Sequence, residues 1–311
     1  MRPRNLIIII MSLTIPLVPV INAQIHDFQT LTGPYFGQQP PGKTPELFAD
    51  SIIANRYKSF HTSLMFSSDG TACYWQAEYT PGEEFIAYSN IENERWTTIE
   101  IAPFSKIGYR DDAPFISPDG TKLFFISIRP LEKGVESHKE NIWVMERSGK
   151  SWGEPKPLPQ LINSIPRIHW QMSVDSLNNL YFSAYQKESR GFRGNIYCSE
   201  FVNGEYTEPV MLDHNINTSD YEFSPFISPD GSYLLFSRQL YGKGSCRIFI
   251  SFRNEDDTWG EAINLYDTYG IKGICPIVSN DNKYLFFLDY VKSHSQPFWV
   301  DASFIEKLRL K

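Results

Sequence analysis

One hairpin sequence occurs twice, almost unchanged, in this chain of 311 residues. Residues 114–125 and 225–236 both contain Phe-Ile-Ser-Pro-Asp-Gly followed by a second apolar run. Proline presets φ, aspartate bonds its own backbone and glycine adopts positive φ, so the pattern predicts a strand, a tight turn and a strand. The recurrence of this unit indicates a fold built from packed, repeated copies.

Weaker copies extend the repeat to five. An aspartate marks the turn of each copy, and the intervals between these residues are 50, 56, 55 and 51: Asp69, Asp119, Asp175, Asp230 and Asp281. Each hairpin is followed by a third apolar strand. In the first four copies a short, edge-like strand comes next and begins with an aromatic residue, as in Trp-Gly-Glu-Pro at 152–155. Four strands per copy at this period predict one β-propeller blade per copy.

The fifth copy ends without a fourth strand, and the N-terminal sequence supplies one. Residues 44–53 resemble the fourth-strand region at 153–162. We therefore predict an all-β fold, a five-bladed β-propeller with four-stranded antiparallel blades, whose ring is closed by this N-terminal strand without a free edge. Residues 44–311 would form this single domain, and residues 24–43 would be an extended lead-in across its surface.

The N-terminus has the features of a secretory signal peptide. Arg2 and Arg4 precede an apolar stretch at residues 6–20, and Ala23 provides a small residue before a cleavage site at Gln24. Since the stretch is short for a membrane anchor, we predict a signal peptide at residues 1–23. The mature protein would then be periplasmic or extracellular, with no stable membrane span.

The cysteines do not define a disulfide framework. Their spacing is irregular, and export would permit bridges: Cys73, Cys198, Cys246 and Cys275. Buried free thiols are the favoured interpretation, and the pairing stays open.

The pattern Phe-Ile-Ser-Pro-Asp-Gly-x-x-Leu-x-Phe resembles the WD40-like β-propeller repeat of TolB-type exported bacterial proteins. The match is close at residues 115–125 and 226–236 and partial in the other copies. With the Trp-Gly-Glu-Pro strand, the chain is also similar to propeller segments of envelope-associated bacterial proteins. This resemblance implies a binding platform or scaffold in which the repeat residues are structural. It implies an envelope protein, or a glycan or peptide ligand, as the partner.

The candidate ligand site lies where the copies differ. Eight residues before the marker aspartates, at the start of each innermost strand, the side chains vary in charge and size, and such positions converge on one mouth of a propeller channel. A second polar set follows the second strands: Glu78, Arg129, Lys187, Arg238 and Asp289. The predicted ligand-binding residues at the mouth are His61, Asp111, Asp112, Arg167, His169, Trp170, Tyr221, Glu222, Glu78, Arg129 and Arg238.

Several functions remain open for these residues. Mixed charges with aromatic rings suit a polar ligand such as a glycan or peptide, or a cation. The alternative is that they cap strands and pair with one another around a water-filled channel. Two of Glu78, Asp111, Asp112 and Glu222 could instead form a glycosidase pair, about 5 Å or about 6.5–9.5 Å apart.

The remaining sequence signals are negative. Serine-hydrolase, metalloprotease, phosphate-loop and dinucleotide motifs are absent. The net charge of −7 argues against nucleic acid. We predict an exported, non-catalytic binding or scaffold propeller of the bacterial cell envelope, with no catalytic residue, cofactor or metal. A carbohydrate-active enzyme is the alternative, and a cation-stabilised propeller is a third possibility.

Overall fold

The predicted propeller is confirmed. The structure, a computed structural model, describes residues 31–49, 52–53, 60–78, 82–131, 138–149, 151–188, 191–242 and 244–310. Its strands form five antiparallel sheets, the blades of a five-bladed β-propeller. The predicted signal peptide at residues 1–23, and the first part of the predicted lead-in at residues 24–30, lie outside the described residues.

Each blade contains two long central strands, an inner strand and a short outer edge. Blade 1 contains Met65–Phe66 (β2), Ala72–Glu78 (β3), Glu84–Glu92 (β4), Arg95–Trp96 (β5) and Glu100–Ile101 (β6). Blade 2 contains Asp112–Ile116 (β7), Lys122–Ser127 (β8), Asn141–Ser148 (β9), Ser151–Trp152 (β10) and Lys156–Pro157 (β11). Blade 3 contains Ser173–Val174 (β12), Leu180–Glu188 (β13), Gly191–Ser199 (β14) and Val210–Met211 (β17), beside the ribbon Phe201–Val202 (β15) and Glu205–Tyr206 (β16). Blade 4 contains Tyr221–Ile227 (β18), Tyr233–Leu240 (β19), Ser245–Phe252 (β20) and Ile263–Asn264 (β21).

The last blade closes the ring with the predicted N-terminal strand. Blade 5 contains Ile274–Val278 (β22), Tyr284–Val291 (β23), His294–Asp301 (β24) and the N-terminal Glu46–Leu47 (β1). In the β1–β24 pairing, Glu46 lies opposite Trp299 and Leu47 opposite Phe298. The first and last parts of the propeller therefore share one sheet, which leaves no unpaired seam at that position.

Part of the predicted surface lead-in is buried. A 3-10 helix at Tyr35–Gly37 places the ring of Phe36 4.3 Å from that of Trp96, and Phe36 is only 1% exposed. The backbone oxygen of Gly33 accepts a hydrogen bond of 2.8 Å from the indole N–H of Trp96. This segment thus fills the space between blades 5 and 1 rather than only crossing the surface.

The repeated turns form as the sequence predicts. Ser117 donates a hydrogen bond of 2.6 Å to Asp119, whose carboxylate also accepts from the backbone N–H of Thr121 at 3.0 Å. Gly120 adopts φ 70°, and Asn282, which replaces glycine in the fifth copy, adopts φ 57°. The local chemistry of each turn holds the inner hairpin of its blade in register.

Hydrogen bonds between inner strands join the blades around the channel. Gln171 of blade 3 donates at 2.8 Å to the backbone oxygen of Pro276 in blade 5. Ser173 donates at 3.0 Å to the backbone oxygen of Pro225 in blade 4. These contacts, together with aromatic rings packed between the sheets, hold the inner strands in fixed positions.

Three short helices connect or follow the blades: Gln160–Asn163 (α1), Leu265–Tyr269 (α2) and Phe304–Arg309 (α3). Phe304 of α3 packs on Tyr269 of α2 with ring centroids 4.9 Å apart. Within the described ranges, no helix has both the length and the apolar character that a membrane crossing requires.

Candidate functional site at the channel mouth

Five predicted residues from four blades meet at one end of the channel. We call this group, His61, Asp112, His169, Trp170 and Tyr221, the mouth cluster. Trp170 stacks on His61 with centroids 4.3 Å and planes 24° apart, and the ring of His169 lies 5.2 Å from that of His61. The indole N–H of Trp170 donates at 3.2 Å to the Tyr221 hydroxyl. All five residues are half-buried, so their rings and polar atoms remain partly accessible.

Unusual backbone geometry directs these side chains. In β7 the register shifts between Asp112 and Phe115, because Ala113 adopts φ 51° and forms a bulge. Asp111, immediately before β7, is fully buried, whereas Asp112, the first residue of β7, contacts His61 in the mouth cluster. Trp170 itself adopts φ 67°. Left-handed non-glycine residues cost roughly 1–2 kcal/mol each, and the surrounding packing sustains this strain.

A glycine allows the close approach of blades 3 and 4 beside the cluster. A Cβ atom on Gly194 would lie 2.7 Å from the backbone oxygen of Glu222 and 3.0 Å from the ring of Tyr221. Gly194 thus fixes the position of Tyr221 through close packing. Gly194 is not among the predicted site residues. Its position in a central strand was the signal that could have identified it, because glycine there indicates a close backbone approach.

His61 and Asp112 form an ion pair in the mouth cluster. The Nδ1–H of His61 donates to Oδ2 of Asp112, and Thr62 donates to Oδ1 at 2.9 Å. Burial alone would lower the pKa of His61, but the charge of Asp112 and their hydrogen bond outweigh it and raise that pKa. Burial would raise the pKa of Asp112, but His61 and the Ala113 N–H reverse this effect and lower it. Both shifts favour the charged pair.

Two other predicted acids lie below the surface in ion pairs with predicted arginines. Asp111 is 0% exposed, and Nη2 of Arg129 lies 2.8 Å from both of its oxygens. Ser105 and the backbone N–H of Lys106 complete the acceptor sites of Asp111 at 2.9 and 3.0 Å. The Arg129 guanidinium also lies 4.7 Å from the Phe125 ring. This pair holds a strand start in place and is not accessible to a ligand.

Glu222 and Arg238 form the corresponding pair in blade 4. Nε of Arg238 lies 2.8 Å from Oε1 of Glu222, and Thr218 donates to the same oxygen at 2.6 Å. Oε2 of Glu222 is buried without a hydrogen-bond partner. Burial raises the pKa of Glu222 in spite of Thr218 and Arg238. Glu222 is 0% exposed, so this shift reflects the protein interior and not an open site.

The remaining predicted residues lie at the rim. Arg167 is exposed, and its guanidinium lies 5.5 Å from the ring of Tyr185. Glu78 ends β3 directly opposite Glu84 of β4. Of the second polar set, Asp289 forms a 3.5 Å ion pair with Lys272, and the side chain of Lys187 lies outside the described part of the structure.

Two acidic residues that the sequence analysis did not single out lie next to the mouth cluster. An oxygen of the Glu140 carboxylate lies 2.5 Å from Nδ1 of His169. Glu84 pairs with Arg110 through contacts of 2.5 and 3.1 Å. Glu140 immediately precedes β9, and Glu84 is the first residue of β4. Adjacency to strand starts was the signal that could have identified both residues.

The resulting surface combines stacked rings with paired charges. Every carboxylate described here in contact with the mouth cluster or buried beneath it, namely Asp111, Asp112, Glu140 and Glu222, has a basic partner. Across the described residues, no group of three or more His, Cys, Asp or Glu side chains is arranged to hold a metal ion. Such a surface can stack on a flat or weakly polar ring and donate hydrogen bonds around its edge.

Comparison with known proteins supports the fold. No protein-family description and no curated protein matches the chain. Among solved structures, the endo-arabinase of Bacteroides thetaiotaomicron is 12% identical and has a TM-score of 0.51, over 78% of this chain and 94% of its own. The α-L-arabinofuranosidase of Podospora anserina is 13% identical with a TM-score of 0.47, over 78% and 91%. That of Coprinopsis cinerea is 12% identical with a TM-score of 0.45, over 79% and 91%. At 12% identity, the likeness to the endo-arabinase shows a common fold alone.

Proposed function

We propose that this protein is a non-catalytic glycan-binding propeller whose ligand site is the mouth cluster. The observation that carries the proposal is the stack of Trp170 on His61, which is partly exposed and bordered by the Tyr221 hydroxyl and by charged groups. Carbohydrates bind through flat ring contacts combined with a few oriented polar groups, and this surface offers both.

The burial and pKa shifts of Glu222 and Asp112 favour a binding protein over a glycoside hydrolase. A general acid must face the substrate with a raised pKa. The pKa of Glu222 is raised, but its side chain is buried against Arg238. Asp112 is partly accessible, with its side chain 14% exposed, but His61 lowers its pKa. Neither residue therefore suits the role of the acid.

Isothermal titration calorimetry with a panel of neutral and acidic oligosaccharides tests the proposal. We expect Trp170→Ala to reduce affinity by about tenfold to 100-fold, because the stacking of a ligand ring on an aromatic side chain contributes about 1–3 kcal/mol. Trp152→Ala is the matched control, since this half-buried tryptophan lies in a separate cleft between blades 1 and 2. Loss of binding in Trp152→Ala alone would move the site to that cleft and contradict the proposal.

Glycoside hydrolysis is a second candidate, favoured by the accessible His61–Asp112 pair in the channel mouth. The endo-arabinase above shares the fold but shows nothing about the activity of this chain. Incubation with arabinan and other polysaccharides, followed by a reducing-sugar assay, separates the two candidates. Release that is abolished in Asp112→Asn would establish the enzyme. We expect no release above a heat-treated control.

We also propose that the protein acts after export, in the bacterial envelope, as the signal-like N-terminus and the TolB-type resemblance suggest. Expression in a bacterial host followed by N-terminal sequencing tests this part. We expect the mature chain to begin at Gln24 and to be recovered from the periplasm or the medium. Recovery of an intact Met1 in the cytoplasm would contradict it.

A further inference from the structure

A basic cleft adjoins the mouth cluster between blades 2 and 3. Its volume is about 710 Å³. Its lining comes from the start of blade 2, the loop before the third strand of blade 2, the start of blade 3 and the middle of β13: Arg110, His138, Lys139, Glu140, Arg167, His169 and Tyr185. His169 belongs both to this cleft and to the mouth cluster, so the two surfaces are continuous.

The cleft is positively charged although the chain is acidic overall. Among the described lining residues, two arginines, one lysine and two histidines stand against one glutamate, while the whole chain carries −7. The glutamate, Glu140, is already engaged by His169. Arg110 is engaged by Glu84. A cationic patch of this kind attracts an anionic ligand and raises its local concentration.

Arg167 is the cation best placed to bind such a ligand. It is exposed, in the turn before blade 3, and its backbone adopts φ 56°. Its guanidinium lies 5.5 Å from the Tyr185 ring. Among the described residues, no acidic side chain forms an ion pair with it. Its planar set of N–H donors is therefore free to match a planar carboxylate through two parallel hydrogen bonds.

The distances allow one ligand to use both surfaces. The His169 ring lies 5.1 Å from the ring of Trp170 and 5.8 Å from the ring of Tyr185, over which Arg167 lies. A sugar ring stacked in the mouth cluster would place a substituent or a neighbouring residue over this cleft. We infer that the ligand is a carboxylate-bearing glycan, a uronic-acid oligosaccharide, whose carboxylate binds Arg167. This inference rests on the proposed glycan-binding function.

Calorimetry with oligogalacturonate, with a neutral oligosaccharide of the same length and with a sulfated oligosaccharide tests the inference. We expect the wild-type protein to prefer oligogalacturonate, with an affinity that falls as salt rises. Arg167→Ala should reduce this affinity by about tenfold to 100-fold, and Arg167→Lys by less, because lysine retains the charge but not the planar donor pair. Binding of any neutral glycan should not change.

Arg147→Ala is the matched control. Arg147 is also exposed and also stacked on an aromatic ring, 5.0 Å from Trp152, but it lies outside the cleft. We expect its affinity for oligogalacturonate to equal that of the wild type.

The possible failures are distinguishable. Equal or better binding of the neutral oligosaccharide, still lost in Trp170→Ala, would overturn the acidic-ligand inference and leave the glycan proposal standing. Preference for the sulfated oligosaccharide over oligogalacturonate would overturn the assignment to a carboxylate. Binding of none of the three would overturn both the inference and the proposed function.

Discussion

The two ends of the inner hairpins differ in how similar their residues are from blade to blade. At the turn end, four copies repeat one arrangement, in which serine donates to aspartate at 2.6–2.7 Å: Ser67 to Asp69, Ser117 to Asp119, Ser228 to Asp230 and Ser279 to Asp281. At the mouth end, equivalent positions carry His61, Asp111, Arg167, Glu222 and Gly273, and only Asp111 and Glu222 share a contact, an ion pair with a buried arginine. The repeated turn residues stabilise the fold, whereas the residues that differ between the blades form the candidate site.

The third copy shows what happens when a turn departs from the pattern. Ser173 bonds blade 4 instead of its own aspartate, and the turn aspartate, Asp175, is buried. Burial raises the pKa of Asp175, although Asn179 and Leu177 donate hydrogen bonds that oppose the shift. Those same kinds of hydrogen bond lower the pKa of the exposed Asp119. The direction of the pKa shift of a turn aspartate therefore depends on its solvent exposure.

The largest expected effect lies beneath the mouth. Asp111→Ala leaves the charge of Arg129 buried without its carboxylate partner, so we expect the free energy of unfolding to fall by about 3–5 kcal/mol. The adjacent substitution Arg110→Ala is the control, since this exposed pair with Glu84 should contribute less than about 1 kcal/mol. Urea unfolding measures both. Similar losses would show that burial does not distinguish the two pairs.

A smaller effect is expected where blades 3 and 4 approach. Gly194→Ala places a methyl group against the Glu222 backbone and the Tyr221 ring, and such overpacking costs about 1–3 kcal/mol. Glycan affinity should fall with it as Tyr221 moves. Gly42→Ala, where a new methyl group meets nothing within 4 Å, should change stability by less than about 0.5 kcal/mol. Unchanged glycan affinity in Gly194→Ala would show that the position of Tyr221 does not matter for ligand binding.

The contributions of Asp119 and Asp175 to the free energy of unfolding should change in opposite directions with pH. The lowered pKa of Asp119 means that its stabilisation is present above its ordinary pKa near 3.9 and is lost as pH falls. The pKa of Asp175 is raised instead, so its contribution to stability is present below its ordinary pKa and is lost as pH rises through the raised pKa.

Unfolding of wild type, Asp119→Asn and Asp175→Asn at about pH 3 and about pH 6 tests this contrast. The advantage of wild type over Asp119→Asn should grow with pH, by about 1 kcal/mol or less for hydrogen bonds in an exposed turn, and that over Asp175→Asn should shrink. Equal slopes would refute the role of burial in the third copy.

The smallest expected effect is the pH response of the mouth cluster. Because the pKa of His61 is raised, the His61–Asp112 pair stabilises the fold fully below the ordinary histidine pKa near 6.5, and this contribution disappears as pH rises through the raised value. The ring is 33% exposed, so solvent should limit the loss to less than about 1 kcal/mol.

Thermal unfolding between about pH 6 and about pH 8 should therefore show a decline in wild type that is absent from His61→Gln. His294→Gln, at an exposed hairpin of blade 5, should retain the decline. Persistence of the full decline in His61→Gln would assign it to another group.

The sequence by itself determined the blades. The turn contacts link residues two to five positions apart, as between Ser117, Asp119 and Lys122, so local chemistry specified them. The missing fourth strand of the fifth copy and its counterpart near Glu46 also predicted how the ring closes. The predicted lead-in was less accurate, because the burial of Phe36 depends on a space that only the assembled ring creates.

Only the tertiary structure decided the partners at the mouth. Asp112 pairs with His61 from 51 residues away, Glu140 with His169 from 29, and Trp170 with Tyr221 from 51. Neighbouring aspartates have different environments, because Asp111 pairs with buried Arg129 and Asp112 pairs with half-buried His61. Charge, burial and pKa at this surface arise from chain segments that meet through closure of the ring, and no local pattern encodes that meeting.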